Sequence, residues 1–134
     1  CKVIDMNNQL KLLELAQQAA KNAYAPYSKF CVGAAVLSSN NRFYSGCNVE
    51  NISYPVGTCA EAGAIAAMIC GGDTEISEIL IYADSKELIT PCGACRQRIK
   101  EFASPECQIH LANTAGIKKT FTLNDLLPHS FSEF

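Results

Sequence analysis

Three cysteines in this sequence are spaced to hold one metal ion. Cys92-Gly93-Ala94-Cys95 is a C-x-x-C pair, able to chelate an ion from a single helical turn, and Cys59 stands 33 residues upstream of it. A structural zinc ion normally closes its tetrahedron with four protein ligands, whereas a catalytic one takes three and leaves the fourth position to water. Three well-placed thiolates match the open case. Glu61 follows Cys59 by two residues, so on a helix its carboxylate comes near the ion without having to bind it. There it can accept a proton from water. The same residues also have a purely local reading: Thr58-x-x-Glu61 is a capping box, in which glutamate only closes a helix start.

Thiolates are favoured over thiols at helix N-termini, where unpaired N–H groups carry a partial positive charge. The site therefore needs two such termini aimed at one point. Leu12, Leu15, Ala16, Ala19 and Ala23 recur at helical spacing opposite Lys11, Glu14, Gln17, Gln18 and Lys21, which predicts an amphipathic first helix closed by Tyr24-Ala25-Pro26. Residues 30–37 and 42–47 read as a hairpin turned at Asn40-Asn41, followed by a polar loop over 48–57. Thr58 opens a second helix whose body, 60–70, is small and apolar nearly all round, predicting burial, before Gly71-Gly72 stops it. Residues 79–83 read as a central strand, Pro91 introduces a third helix through about Ala103, and 108–111 read as another strand. A short helix capped by Thr122 ends at Pro128. These elements predict an α/β fold, a three-layer α/β/α arrangement around a central mixed sheet of about five strands, in one domain over 1–134. Cys59 then lies in the first turn of the second helix, and Cys92 and Cys95 in the first turn of the third.

At 134 residues, with 49% apolar and 18% charged residues, the composition is that of an ordinary globular protein with one core. A formal net charge of -2 disfavours a polynucleotide partner, because no general basic surface is present to displace counterions. No segment approaches the ~18 apolar residues needed to cross a bilayer, and Cys1 to Asn8 lacks the pattern of a secretion signal, so the expected location is cytoplasmic. In that compartment eight cysteines point to metal ligands or thiols rather than a disulfide framework. Cys31, Cys47, Cys70 and Cys107 lie within or beside apolar stretches and read as core or incidental residues, as does the terminal Cys1. His110 and His129 lack chelating spacing and read as surface or capping residues, which leaves a structural zinc site short of a fourth ligand. A redox role for Cys92 and Cys95 stays open. Arg96, next to the last cysteine, either offsets part of the thiolate charge or is a surface arginine.

Cys-Ala-Glu followed by Pro-Cys-x-x-Cys is the pattern of the zinc deaminases in their all-cysteine form. From about Leu10 to Phe131 the sequence resembles the small, homotetrameric cytidine deaminases, through Tyr27-Ser28-Lys29-Phe30, Val32-Gly33-Ala34-Ala35, Gly46-Cys47-Asn48-Val49-Glu50-Asn51 and Leu126-Leu127-Pro128. The resemblance implies zinc on Cys59, Cys92 and Cys95, and Glu61 as the catalytic proton carrier. It also implies that Asn48 and Glu50 hold the ribose hydroxyls of a small nucleoside, that Phe30 stacks on the pyrimidine, and that the backbone of Ala60 bonds the base. Tyr54 and Phe131 look like residues lent to a neighbouring subunit's pocket, making each site of the homotetramer composite. Many relatives carry arginine directly after the catalytic glutamate, where this chain has Ala62. The same motif also serves deaminases of other bases and of nucleoside antibiotics.

Overall fold

A computed structural model describes residues 6–134; Cys1 lies outside the described residues. The amphipathic segment forms α1 (Met6–Lys21). The hairpin forms β1 (Val32–Ser38) and β2 (Phe43–Cys47), antiparallel, with Asn41 in the left-handed region at its turn (φ 61°). Then follow α2 (Ala60–Cys70), β3 (Ile76–Ala83), α3 (Gly93–Phe102), β4 (Ala103–Asn113), β5 (Gly116–Thr122) and α4 (Leu123–Leu126). Thr122 caps α4 as expected, in a reciprocal box with Asp125.

The strands make one mixed five-stranded sheet in the order β2-β1-β3-β4-β5. Only β3 and β4 are parallel, the pairing that requires a crossover, and α3 supplies it. Side chains alternate across the sheet, so each face gathers its own core. On one face Ala35, Leu37 and Leu80 meet Leu12 and Ala16 of α1. On the other Ala34, Val36, Ile79, Ile81, Ile109 and Leu111 meet Ala64, Ile65 and Met68 of α2, Ile99 of α3 and Leu123 of α4. This is the expected three-layer arrangement.

Two glycines allow helices to approach the sheet backbone directly. A Cβ at Gly33 would lie 1.9 Å from the Ala16 carbonyl oxygen of α1, and one at Gly46 would lie 2.3 Å from the Ala64 nitrogen of α2. Gly46 thus sets the depth at which α2, and with it Cys59, rests on the hairpin.

Three readings need correction. α2 is not covered all round: Ala60, Glu61, Ala64, Ile65 and Met68 are buried, while Ala66, Ile69 and Cys70 on its outer face are exposed. His110 is not at the surface but fully buried in β4, its ring nitrogens bonded to Thr120 Oγ1 (2.7 Å) and Glu78 Oε1 (2.9 Å) on the flanking strands. The fifth strand, β5, escaped location in the sequence because a register shift opposite Leu111/Ala112 breaks its alternation: Ile117 packs on the α1 face and Phe121 on the other. Its exposed Lys118, Lys119 and Thr120 suit an edge. Among the described residues no helix is long and apolar enough to cross a membrane, and the described cysteines form no disulfide.

Candidate active site

Cysteines occupy the N-cap positions of both α2 and α3. Cys59 and Cys92 have extended backbones (φ -78°, ψ 160° and φ -66°, ψ 166°), and each chain turns into its helix at the next residue. Cys95 lies one turn into α3 and is buried, whereas Cys59 and Cys92 are accessible. The three sulfurs lie within 4.8 Å of one another, the only such cluster of potential metal ligands among the described residues. A tetrahedral zinc ion about 2.3 Å from each sulfur would set them about 3.8 Å apart, so the donor set fits the ion after a small inward movement. Electrostatics separates the three thiols in the absence of metal. Burial pushes Cys59 and Cys95 up from the ordinary thiol range. Burial also opposes ionisation of Cys92, but the N–H groups of Cys95 and Ala94 and the thiols of Cys95 and Cys59 outweigh it, and Cys92 lies below that range.

Glu61 is the second residue of α2 and only 5% exposed. Because the N-cap is Cys59 rather than Thr58, the glutamate is one position short of the capping box, and the Cys59 side chain makes no cap bond. The local reading of Thr58-x-x-Glu61 therefore fails. Burial raises the Glu61 carboxyl above the usual carboxylate range, against its own backbone N–H, the Cys95 thiol and the Arg98 guanidinium. Cys59, Cys92, Glu61 and Ala60 face a cavity of about 270 Å³ also lined by Phe30, Asn48 and Glu50. The cavity lies where β1 begins beside the end of β3, Val32 opposite Ala83, outside the carboxyl end of a parallel strand. A wider cleft of about 440 Å³ continues outward, sharing Ser28, Asn48, Glu50 and Cys59 with it.

Residues 6–111, which carry the whole cluster and Glu61, match the family model of the cytidine and deoxycytidylate deaminase zinc-binding region. The chain belongs to that deaminase family. It is 39% identical to the cytidine deaminase of Sporosarcina psychrophila over 123 residues, 92% of this chain and 90% of the relative. The crystal structure of cytidine deaminase from Burkholderia pseudomallei superposes with a TM-score of 0.86 at 38% identity, covering 91% of this chain and 98% of the other. That from Mycobacterium tuberculosis gives 0.81 at 36%, covering 98% and 100%. The mixed sheet and flanking helices thus match those of cytidine deaminase structures, and the close grouping of Cys59, Cys92 and Cys95 is consistent with the zinc of that family.

The deaminase pocket is held open by a polar frame. Asn48 accepts from the Val32 N–H (2.9 Å) and donates to the Phe30 carbonyl (2.8 Å), pinning the segment that presents Phe30. Glu50 accepts from the N–H groups of Tyr27 (3.0 Å) and Ser28 (3.1 Å) and from the Ser28 hydroxyl. These bonds, the Ser28 hydroxyl first, hold its carboxyl below the usual carboxylate range. Short bridges from Val49 to Tyr24 and to Thr58 fix the strip that carries both residues.

Tyr54 lines the outer cleft, is 70% exposed and packs edge-on against Tyr27 at 5.9 Å. Phe131 lines neither cavity of its own chain; it is 66% exposed, with its backbone bonded to the Gln97 side chain. Arg96 does not touch the thiolates. Its guanidinium donates to the carbonyls of Pro91 (2.8 Å) and Leu126 (2.9 Å), because the side chain folds back along the start of α3 toward α4. Arg98, which lies in the short cationic run from Arg96 to Lys100 that reads in the sequence as solvated surface, instead donates to Cys95 Sγ at 3.4 Å. Its i,i+3 spacing from Cys95 was the available signal. Ser28, Ile81, Ile89 and Thr90 also line the inner cavity, and the three besides Ser28 had no signal beyond lying near strand or helix ends.

Proposed function

We propose that this chain hydrolyses cytidine and deoxycytidine to uridine and deoxyuridine with release of ammonia, serving pyrimidine salvage in the cytoplasm. The observation that carries the reading is the buried carboxyl of Glu61 beside the cluster of Cys59, Cys92 and Cys95, at a cavity framed by Asn48 and Glu50. The catalytic unit is one domain over 1–134.

Cys59, Cys92 and Cys95 would hold zinc, which would supply the Lewis acidity that makes a water easier to ionise. Glu61 takes a proton from the attacking water and gives it to N3 of the cytosine as the water oxygen adds to C4. The same carboxylate then takes the remaining proton from the oxygen now on C4 and delivers it to the amine, so that the C4–N bond breaks, ammonia leaves and the C4 carbonyl forms. A carboxyl raised by burial suits both steps, because it accepts and returns a proton nearer neutral pH than an exposed one. Phe30 stacks on the pyrimidine, and the backbone of Ala60, at the N-terminus of α2, bonds its polar edge. Asn48 and Glu50 take the ribose hydroxyls with the valences their backbone bonds leave unused. Neither cavity is lined by lysine or arginine, which favours a nucleoside over a nucleotide.

The working form is a homotetramer with composite sites. Val49, Ile52, Tyr54 and Val56 around the cleft, Ile69 on the outer face of α2, and Phe131 are exposed in the isolated chain. Burying them between copies supports the assembly, and Tyr54 and Phe131 then complete a neighbour's pocket.

Loss of ultraviolet absorbance tests the reading, with cytidine, deoxycytidine and cytidine 5'-monophosphate compared before and after chelation. The two nucleosides are consumed, the monophosphate is spared, and the chelator abolishes turnover. Chelator-resistant activity, or inert nucleosides, would overturn it. Light scattering reads the assembly, with a stable monomer as the contrary result.

A further inference from the structure

The geometry points to Arg98 as the positioning residue that balances the charge of the thiolate cluster, acting on Cys95 from outside the substrate cavity. The inference rests on the zinc reading above. Three thiolates on a dication leave about one negative charge, which makes the sulfurs stronger donors to the ion and the attacking water less acidic. A cation within bonding reach of a sulfur corrects both. Arg96 is committed to two carbonyl oxygens. Arg98 reaches Cys95 Sγ with Nη1 at 3.4 Å, a charge-assisted bond once the sulfur is ionised.

Its position suits that role. Cys95 is the buried ligand, and neither it nor Arg98 lines the inner cavity, whereas Cys59, Cys92 and Glu61 do. Arg98 therefore approaches the cluster from behind and leaves the substrate side open. Helical spacing also gives the site a second place for such a group: Ala62 follows Cys59 by three residues in α2, as Arg98 follows Cys95 in α3. With alanine at 62, the i+3 donor comes from α3 alone.

Arg98→Met keeps a side chain of similar reach and removes the donor and the charge. Metal analysis should still find one zinc per chain, and the thermal transition should stay in place, because the residue is exposed. With cobalt in place of zinc, the sulfur-to-metal charge-transfer band should move to lower energy, since an unbonded Cys95 thiolate gives up an electron more easily. The kcat should fall about 10-fold with KM little changed, and the acid limb of its pH profile should move to higher pH. Arg98→Lys should recover part of the loss, and Ala62→Arg in the Arg98→Met background should restore the band and the rate. A cobalt spectrum and kcat unchanged in Arg98→Met would overturn the inference and leave the zinc reading intact. A native chain that binds neither zinc nor cobalt would overturn both.

Discussion

α2 and α3 each bring a cysteine N-cap to the same point, but different forces hold them there. α2 is small and apolar; it sinks onto β2 through Gly46 and buries Ala64, Ile65 and Met68 in the core. α3 is mostly polar and buries only Cys95 and Ile99. Its start is fastened by the Arg96 guanidinium to Pro91 ahead of it and to Leu126 across from it. One thiolate is thus positioned by close packing, and two are positioned by directed hydrogen bonds. Packing tolerates almost no added volume, whereas a hydrogen-bonded clamp loosens by degrees. Glu61 sits on the packed helix and Arg98 on the clamped one.

The sharpest way to break this comparison is to add volume under α2. Gly46→Val should force α2 off the hairpin at a cost of about 3 kcal/mol or more, since the obstructing atoms are backbone. Chemical denaturation and zinc content would register it together, with stability and metal both lost. Removing the clamp on α3 should do less. Arg96→Ala leaves two carbonyls without their donor and should cost roughly 2 kcal/mol, with faster zinc release to a chelator but a folded chain. An Arg96→Ala protein as stable and as zinc-retentive as the native one would remove the distinction.

Acid should separate the two regions more gently. Just beyond α2, the buried Asp73 carboxylate accepts from Asn40 (2.7 Å), Tyr44 (2.8 Å) and Ser38 (2.8 Å), and these bonds hold it below the usual carboxylate range. A carboxyl lowered by folding contributes stability that is present above its unfolded value, about 3.9, and is lost as pH falls through the lower folded value. Amide exchange should therefore quicken around 71–73 below about pH 4 before it does at the start of α3, where the Arg96 guanidinium bonds backbone carbonyls rather than a carboxylate. Asp73→Asn should flatten that response. Equal exchange in both regions at every pH would contradict it.

What was legible in the sequence follows the same division. Cysteines at the starts of α2 and α3, the glutamate two residues on and the glycine stop of α2 are local signals, and the structure keeps them, with Cys59 rather than Thr58 at the N-cap of α2. The hairpin and central strand were legible because alternation and apolar runs report burial directly. Between Arg96 and Arg98 the separating signal was helical spacing, since a residue at i+3 from Cys95 shares its face and one at i+1 does not. Adjacency to Cys95 favoured the wrong one. His110 looked superficial because a polar residue in a strand is buried only if both neighbouring strands offer partners, and Glu78 and Thr120 are remote in sequence. The exposed face of α2 has an apolar composition indistinguishable from core, so its openness appears only once the chain is folded.

If Glu61 moves protons beside a metal held by the cysteines alone, its amide variant should lose turnover and keep the metal. Turnover and zinc content measured together on Glu61→Gln test it most directly. One zinc per chain, retained nucleoside binding and a rate lower by about 100- to 10,000-fold are expected. A variant that turns over cytidine at the native rate, or that loses its zinc with the carboxylate, would contradict it.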